Sequence, residues 1–392
     1  MDHAVERSDF VRVMIVLGLC SICILMLVYL PISLIPVWQT QFHVTTSVAD
    51  WTSSAYGFAY AIGNVFWGML SDRIRRVKIL YIGLFLLTLM TVLVGLSPSL
   101  PLLILFRVFE GIVAASFPAV AIAYIGDVLA PRYRAITTTV VSCGFLVASV
   151  LGQVYGSLMN RSFGWHAAFL WLAVVYVLLA ISILLLPKGT RPSTQISFGA
   201  VCLRTIRLFK NIRLVVSWVV AVPILLCFIG MYSGLGVLLS NGFGRSAGEL
   251  IEVQLLGIPG IVLSLVAGYA IRYYGAKRVL ISGVLIGCLG LLLEAVSHSV
   301  GLLTISSIIV VFGLSSAVPG IIMLVGHFGN EARGSATAVY AFFVFVGASL
   351  APLLETALVS SYGVRCFFVV LAGILLLTAL LSGVGIRYSA SK

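Results

Sequence analysis

A chain of 392 residues that is 61% hydrophobic and 9% charged, with a mean hydropathy of +1.17, is excluded from the class of water-soluble domains. Its net charge of +12 needs no nucleic acid to explain it, because cations beside a membrane set topology and meet anionic lipid. The composition describes an all-α polytopic membrane protein.

Apolar runs of about 18 to 28 residues recur between short polar breaks, and a bilayer core of roughly 30 Å takes about 20 helical residues to cross. Twelve spans are predicted, at 11–36, 51–70, 79–96, 102–129, 135–159, 167–186, 214–240, 250–271, 279–297, 302–328, 335–359 and 366–386. They are too long and too uniformly apolar for the alternation of barrel strands. Placing the N-terminus inside puts twenty of the cations on the cytoplasmic side and leaves Arg161, Arg245 and Arg365 outside, with Arg107 within span 4. That asymmetry predicts cytoplasmic termini. No cleavable leader is evident, since span 1 is too long and lacks a small-residue cleavage site. The cysteines lie mostly in apolar runs as small hydrophobes, and Cys20 with Cys23 forms a CxxC without a second ligand pair.

Span 1 carries Tyr29 and Ser33 near its outer end, with Pro31 and Pro36 predicting a kink or an early end, and it holds no carboxylate. In span 2, Tyr56, Tyr60 and Asn64 fall four apart on one helical face. That face either lines a polar cavity or makes hydrogen bonds between helices. Between spans 2 and 3, Gly68 to Lys78 reads GMLSDRIRRVK, and 200 residues later Gly268 to Arg278 reads GYAIRYYGAKR. The chain therefore reads as two copies of one plan, residues 1–186 and 214–392, joined by a basic linker at 187–213.

In span 4, Arg107 and Glu110 are three apart and share a helical face. Glu110 lies about 12 Å in from Leu102 at 1.5 Å per residue, near the midplane. A charge there is expensive and functional by default; the alternative is a buried ion pair that fixes packing. Asp127 closes span 4 on the cytoplasmic side. Span 5 carries Gly144, Ala148, Gly152 and Gly156, small residues that permit close helix contact. The linker holds six cations and no acid, and 201–213 alternates apolar and basic residues as a surface helix would. In the second half Pro223, Pro259 and Pro319 are expected to interrupt spans 7, 8 and 10 around a central site. Glu252, Glu294 and Glu355 sit near outer span ends and read as surface carboxylates, with Glu355 the exception to watch; His327 reads as a solvated or capping residue. GRSAG at 244–248 fits a nucleophile pattern without the strand and helix it needs. Asn160 to Ser162 fits a glycosylation acceptor, and no phosphate-binding loop is present.

Gly68, Ser71, Asp72, Arg73 and Arg76 match the loop motif between spans 2 and 3 of the major facilitator superfamily, which the first copy resembles. Arg75 stands where the motif has a second glycine, and Val77 where it has a second cation. RVFEG, with Arg107 and Gly111, is similar to the superfamily's span 4 motif, with Glu110 replacing glutamine. A glutamate beside an arginine can exchange a proton, and a glutamine cannot. Span 11 holds Gly347, Ala351, Pro352 and Glu355 where span 5 lacks the proline, and Phe163 to Phe169 resembles the start of span 6 in drug and sugar exporters. The resemblance implies a twelve-helix secondary transporter working by alternating access. It also implies that Asp72, Arg76 and Asp127, with Gly68 and Arg73, form a cytoplasmic gate. Arg107, Glu110 and Glu355 would couple protons or hold substrate, and Tyr29, Tyr56, Tyr60 and Asn64 would line the cavity. The nearest group is the bacterial drug and proton antiporters with their sugar-efflux relatives. This implies export of a small molecule driven by protons, in a bacterial inner membrane, by a monomer contacting lipid, with no cofactor, no nucleic acid and no enzymatic activity. The rival readings are an uptake symporter for an organic anion held by Arg107, and a non-transporting membrane sensor.

Overall fold

The computed structural model describes residues 7–189, 198–239, 255 and 257–386. Among these, every regular element is helical. In chain order they are α1 (Arg7–Phe42), α2 (Thr46–Ala49), α3 (Trp51–Ser71), α4 (Arg76–Gly95), α5 (Leu100–Ala114), α6 (Pro118–Val128), α7 (Pro131–Phe163) and α8 (Trp165–Leu184). The chain continues with α9 (Phe198–Leu208), α10 (Ile212–Val237), α11 (Val266–Tyr274), α12 (Ala276–Val296), α13 (Val300–Phe328), α14 (Arg333–Tyr362) and α15 (Val364–Gly385). Nine segments among the described residues are long and apolar enough to cross a membrane. Of the other three predicted spans, α3 and α14 have the length, at 21 and 30 residues, and span 8 falls partly outside the described residues. Arg191, Arg245 with the GRSAG loop, Glu252, Arg387 and Lys392 also lie outside them.

The expected early end of span 1 and the expected interruptions at Pro223 and Pro319 are corrected. α1 neither ends early nor breaks at Pro31 and Pro36 but runs on to Phe42, and Pro223 and Pro319 sit inside continuous α10 and α13. A proline frees one carbonyl a turn earlier, a loss that packed neighbours absorb in a membrane helix. Breaks occur instead in span 4, where α5 stops at Ala114 and Pro118 opens α6, and in span 8, where a turn at Ser264 and Leu265 separates the helical residues around Pro259 from α11. The predicted surface helix is present as α9, with Leu203 and Ile206 exposed beside Arg204 and Arg207.

The helices gather into two compact units. One comprises Met1–Thr137, Gly144–Thr205 and Glu331–Phe342; the other comprises Thr138–Cys143, Ile206–Asn330 and Phe343–Lys392. The first unit thus takes in the beginning of α14, far along the sequence. In that unit α4 packs on α8 and on α5, and α1 packs on α8 and α5. In the other, α12 packs on α15 and α13, and α10 on α15 and α13. The same partners recur, as two copies of one plan require.

Small residues fix these contacts. A Cβ on Gly83 of α4 would meet Ser116 Oγ at 2.0 Å, and a Cβ on Gly283 of α12 would meet the Gly313 carbonyl at 2.6 Å and Ala317 N at 2.8 Å. Gly144, Gly152 and Gly156 of α7 press in the same way on Ser21, Met26 and Ser33 of α1, the close contact that their spacing predicts. The turn after α11 shows where the two copies differ. Gly275 adopts φ +85°, a region that glycine occupies without penalty. Arg75, at the matching place in the first copy, adopts φ −52° and ψ 123°, where any side chain is accommodated.

Candidate functional site

The first unit contains a buried charge hub. Gly111 lets α5 approach α3 so closely that a Cβ there would lie 2.5 Å from the Tyr56 carbonyl. Gly63 does the same from the α3 side against Ile112, whose carbonyl accepts from Trp67 Nε1 at 2.7 Å. This approach delivers the Arg107 guanidinium to the backbone of α3. Nε donates to the Thr52 carbonyl at 3.2 Å, Nη2 to the Leu27 carbonyl of α1 at 3.0 Å, and Nη1 to Glu110 Oε2 at 2.7 Å. The guanidinium carbon lies 3.9 Å above the centre of the Tyr56 ring. Glu110 Oε1 accepts from Thr91 Oγ1 of α4 at 2.8 Å. Both charged side chains are 0% exposed. A charge pair this deep survives only when its remaining donors and acceptors are met, and here four helices meet them: α1, α3, α4 and α5.

The tyrosine face of α3 takes part in this hub. Tyr56 is buried and stacks on Tyr60 at 5.8 Å. Asn64 donates back to the Tyr60 carbonyl at 2.9 Å, so its amide supports its own helix. Tyr29 is half-buried on α1 near Gly152 of α7.

A second cluster stands at the end of α3. Arg76 pairs with Asp72 at 3.3 Å and with Asp127 at the end of α6, and its Nη1 also reaches the Ala123 carbonyl. The structure thus brings Asp72, Arg76 and Asp127 together, while Arg73 points to solvent. Three groups here are not evident from the sequence. Asp72 accepts from the Gly334 amide at 3.2 Å, the Ser335 amide at 3.2 Å and Ser335 Oγ at 2.7 Å. These are first-turn donors of α14 with no partner inside their own helix, and a carboxylate at a helix N-terminus is favoured by the dipole. Gly68 is needed here, since a Cβ on it would lie 2.2 Å from the Ala338 Cβ and 2.8 Å from the Gly334 carbonyl. Arg333 donates to the Gly126 carbonyl at 3.3 Å. The polar, small-residue run ARGSA after span 10 was the available signal.

In the other unit Glu355 is half-buried and accepts from Ser233 Oγ of α10. His327 is exposed at the end of α13, as expected. Glu294 does not behave as predicted: it is 0% exposed, not a surface carboxylate. Its position near a span end says how deep it lies, whereas the face it occupies, turned toward α13, decides its burial.

The sequence profile of the family described as Major Facilitator Superfamily matches residues 17–264 and 251–390. The chain belongs to the major facilitator superfamily. Among curated relatives of this transporter, an uncharacterized transporter of Buchnera aphidicola subsp. Schizaphis graminum is 23% identical over 321 residues, 81% of this chain and 78% of the relative. The uncharacterized MFS-type transporter YceJ of Bacillus subtilis is 27% identical over 254 residues, 64% of this chain and 65% of the relative. Among solved structures, the human organic anion transporter MFSD10 (TETRAN) superposes with a TM-score of 0.77 at 17% identity, over 95% of this chain and 99% of that one. At that identity the likeness shows the fold. Membership makes the chain a multi-pass secondary transporter and not an enzyme, and it retires the reading as a non-transporting sensor.

Proposed function

We propose that this transporter exports a small molecule across a bacterial inner membrane in exchange for protons, and that Glu110 is the group that gains and loses the proton. The observation that carries the reading is the Arg107–Glu110 pair, 0% exposed on both sides and inside the apolar segment Leu100–Val128. Glu110 is held by two donors, on Arg107 and Thr91. Protonation removes the charge that Arg107 balances, while Arg107 keeps its carbonyl partners on α1 and α3. The change therefore falls on the ties that Glu110 makes to Arg107 and to α4. A protonation event that weakens one set of contacts and spares another biases a two-state element.

The Asp72, Arg76 and Asp127 cluster supplies the complementary half of the reading, a cytoplasmic gate. Its attractions hold one state and are lost in the other. In this assignment both termini are cytoplasmic, α9 rests on the inner leaflet, and the transporter works as a monomer. The geometry speaks against uptake of an organic anion through Arg107, because its guanidinium is already committed to Glu110, two carbonyls and the Tyr56 ring.

The test is proton movement in proteoliposomes carrying a pH dye, challenged with lipophilic cations, sugars and organic acids. Antiport predicts proton movement opposite to the added solute, abolished in Glu110→Gln. Unchanged coupled transport in that variant removes Glu110 from the role, and proton movement in the same direction as the solute makes the protein a symporter.

A further inference from the structure

Glu294, two residues before the end of α12, is 0% exposed, and its surroundings differ from those of Glu110. Its Oε1 lies 3.1 Å from Ser307 Oγ of α13, and its Oε2 is buried without a hydrogen-bond partner. No cation faces it among the described residues. On α12 itself, Lys277 and Arg278 lie at the far end, roughly 25 Å away along the helix axis, and Lys277 donates to the Gly383 carbonyl. Arg272 of α11 is exposed near that same far end. At the near end Arg365 of α15 is exposed and donates to His298. The thiols of Cys227 and Cys288 donate to carbonyls of α15. Among the described residues, the ionisable group within electrostatic reach is Tyr232 of α10, whose buried hydroxyl is also unpartnered.

Hydrogen-bond counting then decides the protonation state. A serine hydroxyl has one proton to give and two lone pairs to receive with. Ser307 Oγ lies 2.8 Å from the Leu303 carbonyl, which can only accept, and 3.1 Å from Glu294 Oε1. An ionised Glu294 would leave two acceptors competing for one proton. It would also leave a buried carboxylate without a counter-charge, an arrangement that costs far more than a neutral acid. A protonated Glu294 completes the chain: its O–H donates to Ser307 Oγ, and Ser307 donates to Leu303. Thr91 presents the opposite case, since its hydroxyl gives its proton to Glu110, whose other oxygen meets a guanidinium.

We propose that Glu294 is a second proton-binding site, a neutral carboxylic acid that donates to Ser307 and is independent of the Arg107–Glu110 pair. The proton comes from hydronium in the water at the near end of α12: one O–H bond forms on the carboxylate as one O–H bond of hydronium breaks, leaving a water molecule and no other protein group changed. This site does not rest on the antiport reading, because a symporter or a uniporter would hold the same proton.

The test is infrared difference spectroscopy on the full-length protein in lipid at neutral pH, recording the carbonyl stretch of protonated carboxyl groups. Wild type minus Glu294→Gln should show one protonated-carboxyl band. Ser307→Ala should keep that band and shift it to higher wavenumber, because the acid loses its acceptor. If the glutamine variant fails to fold, the Ser307→Ala shift reads the same proton. Absence of a protonated-carboxyl band, or its loss in Glu110→Gln with persistence in Glu294→Gln, overturns the proposal. Disappearance of the band when sodium replaces choline also overturns it, by making the site one for a metal cation.

Discussion

Replacing Asp72 with asparagine isolates what this carboxylate does for α14. In the native chain its two oxygens receive four donors: the Gly334 amide and Arg76 Nη2 on Oδ1, and the Ser335 amide and hydroxyl on Oδ2. Asparagine keeps one acceptor oxygen and turns the other position into an N–H₂ facing donors, so two bonds are lost. Hydrogen bonds to a charged group contribute about 1.5–3 kcal/mol each. The Asp72 side chain is 4% exposed, so little of this is screened by solvent. Two bonds at the lower end of that range amount to about 3 kcal/mol, roughly a hundredfold in an equilibrium constant. Because Gly334 and Ser335 have no intrahelical acceptor for their amides, the loss is read directly by amide hydrogen exchange over residues 333–342. Asp72→Asn should accelerate exchange there by roughly a hundredfold while leaving α8 unchanged. Equal exchange in the two proteins would refute the role of Asp72 in holding the first turn of α14.

Other substitutions follow from the same contacts. Arg107→Lys keeps the charge but loses the planar fork that reaches Leu27, Thr52 and Glu110 at once. It should destabilise the detergent-solubilised protein by about 2 kcal/mol or more, seen as a lower Tm. Gly275→Ala forces a side chain into φ +85° and should cost about 1 kcal/mol. Arg75→Gly, at φ −52°, relieves no strain and should leave the Tm nearly unchanged. The proton-movement test of Glu110→Gln and the infrared test of Glu294→Gln complete the set.

Much of the architecture was legible from hydropathy alone. Lipid offers the backbone no partners, so a long apolar run is forced into a helix, and predicted and observed ends agree within a few residues for α3, α4, α8, α12 and α15. The Arg107–Glu110 pair was readable for a related reason. Two charges three residues apart in the middle of a span must face each other, and burial leaves them no alternative. Gly68 and Asp72 could be picked out as a pattern, and the resemblance grouped Asp72 with Arg76 and Asp127, although their contacts with α14 could not be read.

What the tertiary structure decided were the partners distant in sequence. Asp72 meets Gly334 and Ser335 across more than 260 residues, and nothing local at either end announces the other. Whether a proline breaks its helix depends on the neighbours that absorb the freed carbonyl, which is why Pro118 stands at a break while Pro319 does not. Glu294 turned inward because of the helix face it occupies, and the lack of a cation beside it among the described residues follows from which helices surround it. Periodicity and hydropathy act along the chain and are carried by the sequence itself. Charge compensation acts through space, so it emerges only once the helices have packed.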